Sequence, residues 1–160
     1  EQQPERDLQD ENERFRRCEE LFEREQRSEQ RDEHHGVPEL GARIEPAQRG
    51  QPASYEQQPL PESELRGRWR LVASPDGAEG STTIGQDAKL WASLLAPGET
   101  LGYELAPRRL AYVHVIRGRL AVNGQNLATG DAAKIAAETR LAFQADEETE
   151  FLLFDLPPLA

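Results

Sequence analysis

The sequence has a single cysteine, Cys18, and it has no long apolar run. One cysteine excludes an internal disulfide and a cluster of thiolate metal ligands, and this usage suits a reducing compartment. No apolar run approaches the ~18–20 residues of a membrane-spanning helix, and the first residues lack the apolar core of a secretory signal. These features predict a cytoplasmic protein that does not enter a membrane.

Basic residues are scarce relative to acidic ones. The 19 Lys and Arg residues stand against 30 Asp and Glu residues, which gives a formal net charge of −11. Binding to nucleic-acid phosphates or to an anionic membrane needs a surplus of basic side chains on one face. The sequence therefore predicts neither a nucleic-acid partner nor a membrane partner.

Hydrophobic residues are also few, at 36% of the 160 residues. The shortfall is concentrated in residues 1–35, which are mostly Glu, Gln, Arg and Asp, whereas residues 65–156 have an ordinary composition. The length therefore accommodates one domain and an appendage.

Residues 1–36 form a charged arm. Four apolar residues in this arm have helical spacing: Leu8, Phe15, Cys18 and Phe22. They would lay one thin apolar stripe on a helix, but the high charge is equally typical of a disordered segment, so both interpretations stay open. Residues 37–64 are rich in proline and glycine, and we expect them to form an extended linker.

After the linker, the pattern becomes that of short strands. In the run from Leu110 to Gly118, Ala111, Val113 and Val115 face one way, while Tyr112 and His114 face the other way. Turn signals such as the Asn123-Gly124 pair recur between the runs. Eight to ten short strands without a convincing helix predict a mainly β domain, either an antiparallel sandwich or a barrel.

Three runs resemble a known family. They are IEPAQRGQPASYEQ at 44–57, RGRWRLVASPDGAEGSTTIGQDAKLWASLLAPGET at 66–100 and EFLLFDLP at 150–157. Together they resemble the C-terminal cupin half of bacterial pirin-like proteins, which are related to quercetin 2,3-dioxygenases. The resemblance implies a jelly-roll β-barrel of the RmlC-like type over residues 65–157.

The resemblance also implies what is missing. In that family two cupins share one chain, and the N-terminal cupin holds the metal, typically through three histidines and a glutamate. Residues 1–43 are too few and too polar to form that first cupin. Dioxygenase activity is therefore not expected of this chain by itself.

The metal-ligand positions of the cupin pattern can be counted onto this sequence. The pattern begins at Gly98 and closes at Gly118, and its last histidine follows Gly130 by three residues. The four ligand positions are then Glu104, Ala106, Ala111 and Ala133. Three of them carry no donor atom, so we expect no metal, no cofactor and no catalytic residue.

Glu104 remains as a candidate for binding a ligand in the barrel lumen. His114 is not expected to replace the missing ligands, because the alternation along its strand turns it away from Ala111.

Three functions stay open. The first is a metal-free cupin domain with a structural or interaction role, packed on a second cupin domain or in a homodimer. The row Leu110, Tyr112, His114 and Ile116 is one surface for that contact. The second is one part of a split or truncated quercetin 2,3-dioxygenase-like oxidoreductase whose metal-bearing cupin is absent here. The third is a cupin that binds a small ligand.

Overall fold

The computed structural model describes residues 59–158. The predicted arm (1–36) and most of the predicted linker (37–64) lie outside the described residues. The described elements are one short helix and ten strands, together with a 3-10 turn at Ala78–Gly80. They are α1 Glu62–Leu65, β1 Arg70–Ser74, β2 Thr82–Thr83, β3 Lys89–Leu95, β4 Thr100–Glu104, β5 Leu110–Arg117, β6 Arg119–Val122, β7 Gln125–Ala128, β8 Ala132–Ile135, β9 Arg140–Ala145 and β10 Thr149–Leu156.

The strands form two sheets. Sheet A has the order β2-β1-β3-β10-β5-β8, and sheet B has the order β4-β9-β6-β7. The described pairs are antiparallel except β1 with β2. The predicted mainly β architecture is therefore confirmed. Helix α1 departs from the prediction, because it falls inside the stretch that was expected to be extended. None of the described helices is long and apolar enough to span a membrane.

The hydrophobic core lies where the two sheets face each other. From sheet A it takes Ala111, Val113 and Val115, each fully buried, as their alternation predicts. From sheet B it takes every second residue of β9, including Leu141 and Phe143, while the intervening residues of β9 are exposed. Burying each large apolar side chain is worth roughly 1.5–3 kcal/mol, so this alternation fixes which face of each strand turns inward.

Sheet A is also apolar on its outer face. Leu94 and Leu152 are 1% exposed, although they point away from the barrel core. The predicted outward row lies on this face. Leu110, Tyr112 and His114 are at most 7% exposed within the single chain, and Ile116 is half-buried. The predicted direction of these side chains is confirmed, but the row is not an exposed patch.

The sheet edges are short. Strand β2 has two residues, and β7 and β8 have four each. Strand β4 is longer, but the carbonyl of Gly102 at its centre accepts a hydrogen bond from the indole Nε1 of Trp69 at 2.8 Å.

One glycine is essential to the path of the chain. Gly118 joins β5 to β6 with a φ of +99°, and a Cβ atom there would lie 2.4 Å from Thr149 Oγ1 and 2.5 Å from the carbonyl oxygen of Glu148. Only glycine avoids both the strained backbone and this contact.

Candidate functional site

The structure divides the four predicted ligand positions into two pairs. Ala111 on β5 is fully buried in the core, and Ala133 on β8 is half-buried and packs against it. Glu104 and Ala106 are exposed. The four positions therefore do not converge on one point inside the barrel.

The expectation that Glu104 lies in the lumen is wrong. Strand β4 alternates so that Leu101 and Tyr103 pack against the core, and Leu105 after the strand is 2% exposed. Glu104 therefore points outward, opposite Arg140 of β9. The physical reason is burial, because turning Glu104 inward would expose the leucine and tyrosine side chains and bury a carboxylate.

The residue that does turn inward at this place is Tyr103, which belongs to a polar network. Its hydroxyl donates to Asp155 Oδ2 at 2.6 Å and accepts a hydrogen bond from Trp91 Nε1 at 3.1 Å. Asp155 is only 5% exposed, and its other carboxylate oxygen accepts a hydrogen bond from Arg109 Nε. The network joins β4 of sheet B to β3 and β10 of sheet A, and it includes Arg109, which directly precedes β5.

Arg109 extends this network to the surface. Its Nη1 donates to both carboxylate oxygens of Asp87, at 3.1 and 3.2 Å. Its Nη2 donates to the backbone carbonyls of Asp87 and Asp155. The guanidinium group therefore balances the buried carboxylate and ties the loop before β3 to the end of β10.

Hydrogen bonds hold the side chains of this network in place across the two sheets. Burial, and then the hydrogen bond to Asp155, raise the pKa of Tyr103 well above its ordinary value. Tyr103 thus stays protonated near neutral pH, and both oxygens of Asp155 are engaged by Tyr103 and Arg109.

The sequence interpretation missed this network, although one signal was available. Asp155 directly follows four apolar residues in the run EFLLFDL, and a charged residue in a strand covered on both faces requires a partner. Its partners Tyr103 and Arg109 are 52 and 46 residues away, and only the fold brings them together.

Aromatic rings fill the middle of the barrel. The Trp69 indole lies at a centroid distance of 5.2 Å from the ring of Phe143 and 5.5 Å from that of Phe151, both edge to face. The rings of Phe143 and Phe151 stack at 5.3 Å. Dispersion between these rings and their burial therefore help to hold the interior together.

His114 lies on the outer face of sheet A. Burial lowers its pKa below the ordinary value, so its imidazole is neutral near pH 7. Within residues 59–158 no three His, Cys, Asp or Glu side chains are grouped so that they could hold a metal ion. The side chains of residues 59–158 do not fit the transition-metal site of a metal-binding cupin.

Two facing antiparallel sheets with a packed interior define a small jelly-roll barrel of the cupin class. Residues 71–156 match the family model described as the quercetinase C-terminal cupin domain. The chain belongs to this family of pirin-like, quercetinase-related cupin domains.

The relatives show how much of such a protein is present. A quercetin 2,3-dioxygenase of Escherichia coli K12 is 34% identical over 116 residues, which are 72% of this chain and 49% of that protein. A pirin-like protein of Caulobacter vibrioides is 32% identical over 114 residues, again covering 49% of that protein. The chain spans about half the length of the curated relatives it matches.

Solved structures agree with the fold. The crystal structure of YhhW from Escherichia coli matches with a TM-score of 0.68 at 33% identity, covering 72% of this chain and 48% of that chain. A second structure, of the bacterial pirin YhhW in complex with nickel(II), matches with a TM-score of 0.66 at 32% identity.

Proposed function

We propose that the barrel acts without a bound transition metal, as a domain with a structural or interaction role. The observation that carries this proposal is the placement of the four ligand positions. Ala111 and Ala133 face the interior without a donor atom, while Glu104 and Ala106 are exposed. A metal such as zinc needs three or four donors around one point at about 2.0–2.3 Å.

The packed interior supports the same proposal. Trp69, Phe143 and Phe151 contact one another through their rings in the middle of the barrel. The Tyr103–Asp155 hydrogen bond ties the two sheets together beside them. These features favour a domain that serves as a rigid scaffold.

The partner in this proposal is a second cupin domain or a second copy of the chain. The row Leu110, Tyr112 and His114 is already buried within one chain, so a second copy would contact another surface. The exposed residues of β9 on sheet B, Arg140, Ala142 and Gln144, offer one such surface.

Metal analysis of the purified full chain tests whether the barrel lacks a bound transition metal. We expect less than about one tenth of an equivalent of nickel, iron, copper or zinc after incubation and desalting, with the nickel-binding YhhW as the positive control. The double variant His34→Ala/His35→Ala removes two of the three histidines in the sequence and leaves only His114. A full equivalent of metal that persists in this double variant and is lost in His114→Ala would overturn the proposal.

A second candidate function is one part of a split dioxygenase. It is favoured by the names of the relatives and by the coverage of about half their length. The chain alone should give no flavonol turnover above buffer. Mixing it with the N-terminal half of the Escherichia coli relative tests this candidate, because only a split enzyme gains activity when the two halves are combined.

A further inference from the structure

The turn between β6 and β7 consists of Asn123 and Gly124, and both residues are exposed. Their φ angles are +47° and +83°, as a tight hairpin turn of this kind requires. Of the three asparagines in the sequence, Asn12, Asn123 and Asn126, only Asn123 precedes a glycine. Because glycine has no side chain, its backbone nitrogen is the least hindered in attacking the side-chain amide of the residue before it.

The side chain of Asn123 also takes part in the pairing of sheet B. Strand β6 pairs with β9 as far as Val122, which lies opposite Phe143. Beyond that point the backbone N–H of Asn123 donates to the Ala142 carbonyl oxygen at 2.9 Å. Its Oδ1 accepts from the Ala142 amide at 2.8 Å, and its Nδ2 donates to the Arg140 carbonyl oxygen at 3.2 Å. The side chain thus continues the ladder of hydrogen bonds to β9 where the backbone of β6 turns away.

We propose that Asn123 is a site of spontaneous deamidation that the folded hairpin restrains, so that the modification marks chains whose hairpin has opened. In this reaction the backbone nitrogen of Gly124 attacks Cγ of Asn123 and gives up its proton. The bond from Cγ to Nδ2 breaks, and the side-chain nitrogen leaves with that proton as ammonia. Water then opens the five-membered succinimide, which leaves either aspartate or isoaspartate at position 123.

The hydrogen bonds of the folded chain oppose this reaction. Closure of the ring turns the Asn123 amide group out of its alignment with β9, and the later loss of Nδ2 removes the donor to Arg140. Both side-chain bonds are therefore lost on the way to the succinimide. We expect the folded chain to react roughly tenfold or more slowly than the unfolded chain, since two hydrogen bonds must break first.

Either product also fits the hairpin less well than asparagine does. Aspartate places an oxygen where Nδ2 now donates to the Arg140 carbonyl, and two acceptors form no hydrogen bond. Isoaspartate adds one carbon atom to the main chain of the two-residue turn, and the length of this turn sets the register of β6 with β7. A chain that has reacted therefore returns to a less stable fold.

Mass spectrometry of the full chain tests the proposal. The chain is incubated at mildly alkaline pH, either folded in buffer or unfolded in guanidinium chloride, and is then digested with trypsin. Cleavage after Arg119 and Lys134 gives one peptide that contains both Asn123 and Asn126. Asn123 should convert into two products of equal mass, aspartate and isoaspartate, at least about tenfold faster in the unfolded sample. Asn126, which precedes Leu127, should stay intact in both samples and is the internal control.

Three variants of the full chain separate the reaction from its consequence. Gly124→Ala adds a methyl group beside the attacking nitrogen and should slow the conversion severalfold in the unfolded sample. Asn123→Asp reproduces one product and should lower the melting temperature by several degrees. Asn126→Asp adds the same charge at an exposed position of β7, and it should shift the melting temperature by less than about one degree.

Equal rates in the folded and unfolded samples overturn the proposal, and so does an unfolded sample in which Asn123 stays intact or gives aspartate alone. Gly124→Ala that reacts as fast as the unsubstituted chain overturns it as well. Equal melting temperatures for the two aspartate variants contradict the dependence of the fold on the Asn123 amide. Failure of Asn123→Asp to fold where Asn126→Asp folds supports that dependence, and the rates are measured on the unsubstituted chain in any case.

Discussion

The hydroxyl of Tyr103 donates to Asp155 Oδ2 at 2.6 Å and thereby joins the edge strand of sheet B to the centre of sheet A. The same carboxylate accepts a hydrogen bond from Arg109, whose side chain is 17% exposed. A single buried aspartate thus connects its own strand β10 to β4 and to Arg109, which directly precedes β5. Substitution of Asp155 therefore tests most directly how much these hydrogen bonds between the two sheets stabilise the fold.

Asp155→Asn should destabilise the fold by about 3 kcal/mol, because it leaves the partly buried Arg109 guanidinium without its buried counter-charge. Urea unfolding of the full chain measures this change. Asp87→Asn is the matched control, since it removes the charge of the other carboxylate partner of Arg109. The Asp87 side chain is 65% exposed. That change should cost less than about 1 kcal/mol, and equal losses for the two variants would contradict the assignment of Asp155 as the central residue.

Tyr103→Phe should change how stability depends on alkaline pH. Burial and the Asp155 hydrogen bond raise the pKa of Tyr103 in the folded chain above its unfolded value of about 10. Its stabilising contribution is therefore complete below pH ~10 and is lost as the pH rises further, by up to about 1.4 kcal/mol per pH unit. The phenylalanine variant should lose about 1–2 kcal/mol at pH 8 and should show a shallower decline above pH 10.

Unfolding measurements at pH 8, 10 and 11 resolve these two effects of Tyr103→Phe. The ultraviolet titration of tyrosine gives an independent readout, because the variant keeps two of the three tyrosines. If the most alkaline transition persists in the variant, the raised pKa belongs to another tyrosine.

Gly118→Ala should destabilise the fold strongly, by about 3–5 kcal/mol. The alanine would combine a strained backbone at φ +99° with a Cβ that overlaps Thr149 Oγ1 and a backbone oxygen. Gly124→Ala is a control with a similar φ of +83° and open space around the new Cβ. It should cost only about 1–2 kcal/mol, and thermal unfolding compares the two. Similar losses would show that the contact with Thr149 is unimportant.

Ser93→Ala and Ser74→Ala should have opposite effects, although both serines are fully buried. Ser93 Oγ is without a partner among the described residues, so its removal should leave stability unchanged or raise it by up to about 1 kcal/mol. Ser74 Oγ bonds Ser81 Oγ at 2.8 Å and Asp76 Oδ1 at 3.0 Å, and it accepts from the Ala78 amide. Its removal should cost about 1–2 kcal/mol.

Chemical denaturation of the two serine variants under the same conditions provides the comparison. A loss above about 1 kcal/mol in Ser93→Ala would mean that this hydroxyl has a stabilising partner, such as a buried water.

The fold could be predicted from the sequence because hydrophobic residues recur at every second position on the core side of strands such as β5 and β9. The alternation of β5 placed Ala111, Val113 and Val115 on the core side, and the family resemblance supplied the barrel. Both rest on local patterns that a single sequence displays directly.

It was harder to predict which residues of β4 and β1 face the core. Counting from Gly98 placed Glu104 inward. In the structure Leu101 and Tyr103 pack against the core instead, so Glu104 faces outward. In β1 the register shifts between Leu71 and Ala73, so that Ala73 pairs with Leu90 on the outer face. A one-residue irregularity reverses the faces that follow it, and neither glycine spacing nor hydrophobicity shows where it falls.

The short edge strands of the two sheets affect the tendency of the protein to aggregate at high concentration. A long open strand recruits strands from other molecules and starts fibrils, whereas outer strands of two and four residues give little length to copy. The indole on the Gly102 carbonyl removes an acceptor from the longest of them. Within residues 59–158, the edges of the two sheets therefore offer little backbone for the addition of a strand from another molecule.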